Sequence, residues 1–262
     1  MNDVELVTEA ARLAGAIGLR YFKQDPEVWT KGNSSPVSEA DIAIDHYLKE
    51  TLLAARPDYG WLSEETEDNV DRLSKDRVFI VDPIDGTRGF IQGTENWMVS
   101  IAIVEGGIPI VGVLYGPVMD KLYVATRGGG ATCNGKNISP ASGPTLSEGE
   151  FAIPARVAQS IQDNLKEKMK RARHIHSLAY RIALVADGEL AGTIARPSVE
   201  DWDVAAADLI LREAGGAFTC LDGSLPVYNE FNTQHDWLLA SGRAVKIPLK
   251  NAVIDAIERT SS

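Results

Sequence analysis

Acidic residues of this 262-residue chain cluster at three places where predicted secondary-structure elements begin or end. The run Ser63–Glu65 precedes a short apolar segment, the run Asp82–Thr87 follows that segment, and Asp203 stands at the start of a predicted helix. Carboxylates that are brought together repel one another strongly unless cations lie between them. Oxygen ligands favour Mg²⁺ or a similar ion, and these runs contain no His or Cys to select zinc. The pattern therefore predicts a divalent-metal site.

The run Asp82–Thr87 adds features that suit a phosphate. Pro83 stiffens the turn so that Asp82 and Asp85 can converge. Gly86 permits close approach of the backbone, and Gly86 and Thr87 open a short helix whose free N–H groups suit a phosphate. A strand end with two carboxylates, a glycine and a helix N-terminus is typical of a two-metal phosphate site.

Each of these residues alone also has an ordinary structural explanation. Asp85 or Asp203 alone would serve as a helix N-cap, and Glu64 with Glu65 would form an exposed acidic loop. Asp41 lies three residues after Ser38 and would simply complete a capping box. The prediction of a metal site depends on the combination of these residues in one chain.

Hydrophobic periodicity and turn residues indicate layered α/β packing, because helices come first, a β-meander follows, and helices and strands alternate again. The meander includes a hairpin through Gly106 and Gly107, and the stretch Pro140–Gly149 is the candidate boundary between two parts. The predicted helices are residues 3–23, a helix after Ser38, and residues 157–172, 178–188 and 202–214. The predicted strands are residues 77–81, 97–105, 108–115 and 121–126.

Composition excludes several classes of protein. With 44% hydrophobic and 24% charged residues the chain is expected to be globular. A formal net charge of -11 with scattered Lys and Arg argues against binding to a nucleic-acid duplex or an anionic membrane. Two cysteines form no disulfide framework, and Met1–Glu5 lacks the basic start of a signal peptide. We therefore expect a soluble, cytoplasmic protein.

Four motifs, taken together, resemble the inositol monophosphatase superfamily. They are Pro36–Asp41, Ser63–Glu65, Asp82–Thr87 and Trp202–Gly216, and they occur in the family's order over most of the chain. The superfamily also contains 3′(2′),5′-bisphosphate nucleotidases, histidinol-phosphate phosphatases and fructose-1,6-bisphosphatases. The resemblance implies an α/β (α+β) fold, a layered α-β-α-β-α sandwich. It also implies one catalytic unit over residues 1–262, with an N-terminal part of about 1–140 and a C-terminal part of about 150–262.

The resemblance assigns expected roles to individual residues. Thr87, paired with Asp41, would orient and deprotonate a water bound to metal, and Glu64 would belong to the same catalytic set. The expected ligands of two or three Mg²⁺ ions are the side chains of Glu64, Asp82, Asp85 and Asp203 and the carbonyl of Ile84. The expected phosphate contacts are the amides of Gly86 and Thr87, with Lys31 as a basic residue nearby. The implied reaction is in-line attack by metal-activated water on a small phosphomonoester, in a homodimer.

The substrate is less well defined by the motifs. Seven residues before Asp203, where inositol monophosphatases have a Glu that binds a substrate hydroxyl, this chain has Arg196. Arginine pairs with phosphate or carboxylate and cannot accept from a hydroxyl, although Arg196 could equally be a surface residue. His176 and Ser177 also replace the pair usual in inositol enzymes. The order of expectation is a bisphosphate nucleotide, then inositol monophosphate, then histidinol phosphate. The alternative to an enzyme is a regulatory or binding protein that retains the fold.

Overall fold

Seven α-helices and sixteen β-strands occur in the part of the chain that the computed structural model describes, residues 1–31, 36–143, 145–165 and 169–260. The helices are α1 (Asp3–Tyr21), α2 (Glu39–Ala55), α3 (Thr87–Ile91), α4 (Ala155–Leu165), α5 (Leu178–Ala186), α6 (Asp201–Glu213) and α7 (Lys246–Thr260). A short 3-10 helix spans Val70–Ser74. No helix in these ranges is both long and apolar enough to cross a membrane.

The strands form two large sheets and two short ribbons. They are β1 (Val28–Thr30), β2 (Pro36–Ser38), β3 (Gly60–Ser63), β4 (Arg77–Asp85), β5 (Met98–Glu105), β6 (Ile108–Gly116), β7 (Lys121–Thr126), β8 (Gly130–Cys133), β9 (Lys136–Asn137), β10 (Glu150–Ala152), β11 (Lys170–Arg171), β12 (Gly192–Ala195), β13 (Val199–Glu200), β14 (Ala217–Cys220), β15 (Gln234–His235) and β16 (Leu238–Ser241). The seven-stranded sheet runs in sequence order from β3 to β9, and only its β3–β4 pair is parallel. The five-stranded sheet has the order β11-β10-β12-β16-β14, in which β11, β10 and β12 are parallel.

The helices and the two large sheets alternate in layers. Helices α1 and α2 pack on one face of the seven-stranded sheet, and α5 and α6 pack on its other face. The same two helices contact the five-stranded sheet, whose opposite side carries α4 and α7. The predicted α-β-α-β-α sandwich is confirmed.

The central helix layer is packed closely because α6 presents small residues to the sheet. Residues Val204–Leu211 of α6 are buried. Gly112 of β6 faces this helix, and a Cβ atom at Gly112 would lie 2.7 Å from the carbonyl oxygen of Ala206. Any larger residue would push α6 away from the sheet. This close contact fixes the position of the N-terminus of α6, which carries Asp203.

Most predicted elements agree with the structure. The hairpin from β5 to β6 is present, and its turn residues Gly106 and Gly107 have φ values of +57° and +78°, which glycine adopts without strain. The prediction of one helix over 157–172 is wrong at its C-terminal end. Helix α4 ends at Leu165, and Lys170–Arg171 form strand β11, which pairs with Glu150 and Phe151. Residues 166–168 of that prediction lie outside the described part.

Candidate active site

Strand β4 brings two of the predicted ligands to one end of the seven-stranded sheet. Its central residues are buried, and it extends to Asp85, four residues beyond the predicted end at Val81. Asp82 pairs with Ser100 of β5 and Asp85 pairs with Met98, so three steps along β4 match two steps along β5. This bulge changes the direction of the side chains at the end of the strand.

The aspartates of β4 meet a third aspartate from α6. One carboxylate oxygen from each of Asp82, Asp85 and Asp203 lies within 4.8 Å of the others. Asp203 is in the first turn of α6, and its Oδ2 accepts a hydrogen bond of 2.7 Å from the backbone N–H of Glu200, the N-cap residue. Asp203 is therefore not the N-cap, and the structure places it in a cluster of carboxylates.

Asp85 is held by a helix far away in the sequence. Its carboxylate accepts hydrogen bonds from Ser177 Oγ at 2.5 Å, from the Leu178 N–H at 3.2 Å and from the Ala179 N–H at 2.7 Å. These donors form the N-terminus of α5, whose dipole favours a negative charge. Gly86, with φ of +99°, is the N-cap of α3 in the place considered for Asp85. The role of Ser177 is not among the predictions, although a serine directly before a predicted helix is a signal for an N-cap.

Glu64 reaches the same site from the loop after β3. Because β3 is parallel to β4, with Ser63 opposite Val81, its carboxyl end lies beside the end of β4. The Glu64 N–H donates to the Val81 carbonyl at 3.3 Å. Lys31 Nζ donates to the Glu64 carbonyl at 3.0 Å and forms an ion pair with Glu65. Lys31 therefore holds this loop.

A buried carboxylate on α2 also fixes the loop that carries Glu64. Asp45 accepts hydrogen bonds from Ser63 Oγ at 2.5 Å and from Thr66 Oγ1 at 2.6 Å. Asp45 is not among the predicted residues, because its partners Ser63 and Thr66 lie 18 and 21 positions further along the chain. No local motif links them.

Burial and mutual repulsion raise the pKa values of the clustered carboxyl groups. Burial first, and then the charges of Glu64 and Asp85, raise the pKa of Asp82 well above its usual range. Burial, Asp203 and Glu65 raise the pKa of Glu64 to about 8. Burial and Asp85 raise the pKa of Asp203 to about 7. All three groups are thus poorly compensated as anions by the residues around them.

The cluster fits a hard divalent cation. Asp82 Oδ1 is buried and has no hydrogen-bond partner among the described residues. An unpaired carboxylate oxygen in the interior is strongly unfavourable, and a cation with oxygen ligands relieves that penalty. This orphaned oxygen, beside the carboxylates of Asp85 and Asp203, is what a metal-binding site requires.

Asp41 and Thr87 form a hydrogen-bonded pair next to the carboxylates. Thr87 Oγ1 lies 3.0 Å from Asp41 Oδ1 and 3.0 Å from the Ile84 carbonyl oxygen. Asp41 Oδ2 accepts from the Ser38 N–H at 2.8 Å and from Ser38 Oγ at 2.5 Å. Burial raises the pKa of Asp41. Asp41 thus takes part in the capping arrangement of α2 with one oxygen and faces Thr87 with the other.

Most of the predicted site residues line one cavity of about 160 Å³. Its lining residues are Pro36, Glu64, Asp82, Ile84, Asp85, Gly86, Thr87, Arg88, His176 and Asp203. We call it the carboxylate cavity. Asp41 reaches it through Thr87. Lys31 does not line it, and Arg196 lines a separate cavity of about 740 Å³.

The layered α-β-α-β-α fold thus brings carboxylates to one cavity, beside a paired Thr and Asp. The sequence profile described as "Inositol monophosphatase family" matches residues 3–255. The chain belongs to this family, and its relatives identify it as a phosphomonoesterase.

Three relatives illustrate the match. An inositol-1-monophosphatase of Mesorhizobium japonicum is 33% identical over 237 residues, which cover 84% of this chain and 86% of that protein. A histidinol-phosphatase of Mycobacterium tuberculosis is 33% identical over 215 residues, 78% of this chain and 82% of that protein. The crystal structure of extragenic suppressor protein suhB from Bartonella henselae superposes with a TM-score of 0.84 at 30% identity, covering 95% of this chain and 97% of that one.

Proposed function

We propose that this protein hydrolyses a small phosphomonoester with the help of Mg²⁺, by attack of a metal-activated water. The observation that carries the proposal is the buried Oδ1 of Asp82, which lies in a cluster of three carboxylates and has no hydrogen-bond partner in the part of the chain that the structure describes. Those carboxylates lie in the same cavity as Gly86 and Thr87 at the start of α3.

The residues that would hold two or three Mg²⁺ ions are the side chains of Glu64, Asp82, Asp85 and Asp203 and the carbonyl of Ile84. When bound, the metal lowers the pKa of a water ligand and offsets negative charge on the phosphoryl group. The hydrogen bonds from the N-terminus of α5 keep Asp85 oriented for this role. The bulge in β4 allows Asp82 and Asp85 to face the same point.

The Asp41–Thr87 pair would manage the proton of the attacking water. The Thr87 hydroxyl has one proton, and donating it to Asp41 leaves the hydroxyl oxygen free to accept from a water in the cavity. Asp41, whose pKa is raised by burial, is suited to take up a proton through this relay. The amides of Gly86 and Thr87 would position the phosphate.

The proposed substrate is a 3′(2′),5′-bisphosphate nucleotide or an inositol monophosphate, and histidinol phosphate is the alternative. The relatives include both an inositol-1-monophosphatase and a histidinol-phosphatase, so membership in the family does not choose among these compounds. We further propose one catalytic unit, since the cavity draws on β4 before the predicted boundary and on α6 after it. A homodimer and a cytoplasmic location are proposed on the family resemblance and on cysteine usage.

The test is phosphate release from adenosine 3′,5′-bisphosphate, inositol 1-phosphate, histidinol phosphate and fructose 1,6-bisphosphate, each with Mg²⁺ and with EDTA. We expect Mg²⁺-dependent turnover of at least one compound and its loss in Asp85→Asn. Asp187→Asn is the matched control, because Asp187 is a carboxylate outside the cavity that accepts from Tyr123 at 2.6 Å. Near-normal activity of Asp85→Asn would refute the metal assignment. Binding of Mg²⁺ without any turnover would instead favour the regulatory role.

A further inference from the structure

The cavity that contains Arg196 is a basic pocket at the carboxyl ends of three parallel strands. The chain leaves β10 at Ile153, β11 at Ala172 and β12 at Arg196, and all three exits line this cavity of about 740 Å³. In open sheets with parallel strands, ligands bind in the crevice outside the carboxyl ends of the strands. The volume lies in the range of small-molecule sites. We call it the arginine pocket.

The ionisable residues that line this pocket are all basic in the described part of the chain. Four arginines and one histidine contribute, namely Arg171, Arg173, Arg181, Arg196 and His174, and no Asp or Glu is among its described lining residues. This is unusual in a chain whose formal net charge is -11. A concave surface with one sign of charge concentrates the opposite charge. The charge of the lining therefore favours an anion as the ligand.

The arginines of the pocket have no carboxylate partner of their own. In the described part of the chain, no Asp or Glu oxygen lies within 4.0 Å of the guanidinium nitrogens of these arginines. Arg181 Nε donates a long hydrogen bond of 3.3 Å to the Ser177 carbonyl. In contrast, Arg72 bonds Asp68 at 2.7 Å and Arg212 bonds Asp208 at 2.7 Å. Guanidinium groups that line one cavity without such an ion pair can bind a phosphate in bidentate fashion.

The arginine pocket and the carboxylate cavity adjoin each other through one short segment. His176 lines the carboxylate cavity and His174 lines the arginine pocket, and His174 Nε2 lies 3.3 Å from His176 Nδ1. Leu178 donates its N–H to Asp85 and also lines the arginine pocket. Arg181 lies about one helical turn further along α5. Residues 174–178 therefore connect the linings of the two cavities.

Apolar residues also line the arginine pocket. Ile153, Ile175 and Leu178 form part of the pocket wall. Such a wall suits the carbon framework or ring of a ligand that carries a charged group at each end. The described lining residues of the pocket include no carboxylate to accept from the hydroxyls of a polyol, so the pocket matches a second phosphate better than an uncharged sugar.

We propose that the arginine pocket binds a second phosphate group of the substrate, so that this enzyme prefers bisphosphorylated small molecules to monophosphates. The proposal rests on the proposed phosphatase function, and it specifies the substrate class of that site. Arg173 and Arg196 bind the second phosphate directly, and Arg181 lies between that phosphate and the carboxylate cavity. The first phosphate, which is hydrolysed, occupies the carboxylate cavity.

The experiment compares adenosine 3′,5′-bisphosphate with adenosine 3′-phosphate, which differ only in the second phosphate. For the wild-type enzyme with Mg²⁺ we expect kcat/KM to be about 10–100-fold higher for the bisphosphate, as charge-assisted hydrogen bonds of this kind imply. In the double variant Arg173→Gln/Arg196→Gln that ratio should fall to near 1. Arg127→Gln is the matched control, because Arg127 is exposed in the turn between β7 and β8 and lines neither cavity.

A second measurement separates this inference from the proposed function. Calorimetric binding of adenosine 3′,5′-bisphosphate is measured in EDTA, where turnover stops and the arginines remain. The wild-type protein should bind it at least about 10-fold more tightly than the double variant. If monophosphates are hydrolysed but neither the kcat/KM ratio nor the affinity responds to the double variant, the inference is wrong and the phosphatase function stands. If nothing is hydrolysed while the double variant still loses affinity, the phosphatase function is wrong and the pocket assignment stands.

Discussion

Replacing Asp82 with Asn should stabilise the metal-free protein and at the same time abolish its response to Mg²⁺. Asp82 is 1% exposed, and its Oδ1 has no hydrogen-bond partner among the described residues. The amide keeps the shape of the side chain but removes the charge. A metal ligand should show both a gain in metal-free stability and a loss of the Mg²⁺ response, and an ordinary buried residue should not show this combination.

The expected size follows from the spacing of the carboxylates. Oxygens of Asp82, Asp85 and Asp203 lie within 4.8 Å of one another. Two unit charges at such a distance repel by about 3.5 kcal/mol at an effective dielectric constant of about 20. Protonation of the cluster relieves part of this repulsion in the wild-type protein. We therefore expect the free energy of unfolding of the metal-free variant to be about 2 kcal/mol higher at pH 8. For a chain of this size that gain raises Tm by roughly 4–8 °C.

The assay is thermal unfolding at pH 8 in EDTA and in excess Mg²⁺, combined with phosphate release. Mg²⁺ at about 100 times its Kd should stabilise the wild-type protein by about 2.7 kcal/mol and leave Asp82→Asn unchanged. Activity of the variant should fall by about 10³-fold or more, as expected when charge stabilisation in an active site is lost.

The matched control is Asp208→Asn, because Asp208 is equally buried but lies outside the site and pairs with Arg212. Loss of the Asp208 charge leaves the Arg212 cation without its partner. Asp208→Asn should therefore lower Tm both in EDTA and in Mg²⁺ and preserve the Mg²⁺ response. If Asp82→Asn were instead destabilised in EDTA and still stabilised by Mg²⁺, the reasoning about the carboxylate cluster would be refuted.

Two further predictions concern protons. Because the pKa of Glu64 is raised to about 8 and that of Asp203 to about 7, the folded metal-free protein holds protons that the unfolded chain releases. The free energy of unfolding in EDTA should therefore fall as pH rises from about 5 to 8, and urea titrations should show this slope disappearing with Mg²⁺; a rising slope would contradict it. Separately, Thr87→Ala should lower kcat by about 10²–10⁴-fold with little change in KM, whereas Thr87→Ser should retain most activity. Equal losses in both variants would exclude the hydroxyl relay to Asp41.

Some interactions could be predicted because they are local in the chain. The capping arrangement of Ser38 and Asp41 spans three residues, and the turn Asp82–Thr87 contains its own proline and glycine. The apolar stripes of α1, α2 and α6 follow the helical period, so these helices were found from the sequence. The hairpin from β5 to β6 was found because two glycines mark its turn.

The errors and omissions lie where distant segments meet. The end of the helix predicted at 157–172 is wrong because Lys170–Arg171 pair with β10, a contact that no local pattern displays. Asp85 is held by Ser177, 92 residues away, and so its partner could not be read from its own motif. Arg196 was singled out alone, whereas Arg171, Arg173 and Arg181 were not.

The amino-acid sequence by itself thus predicted the residues of the candidate site, namely the carboxylates in their motifs and the Thr and Asp pair. It also predicted the layered α/β class of the fold. Hydrophobic periodicity and turn-forming residues are patterns over a few neighbouring residues, so they can be recognised in the sequence alone. Only the tertiary structure decided that Asp82 Oδ1 finds no hydrogen-bond partner among the residues described and that Asp85 faces the N-terminus of α5. It also gathered four arginines at the ends of β10, β11 and β12. Burial and convergence depend on how the layers stack, and stacking is set by contacts among all of them at once.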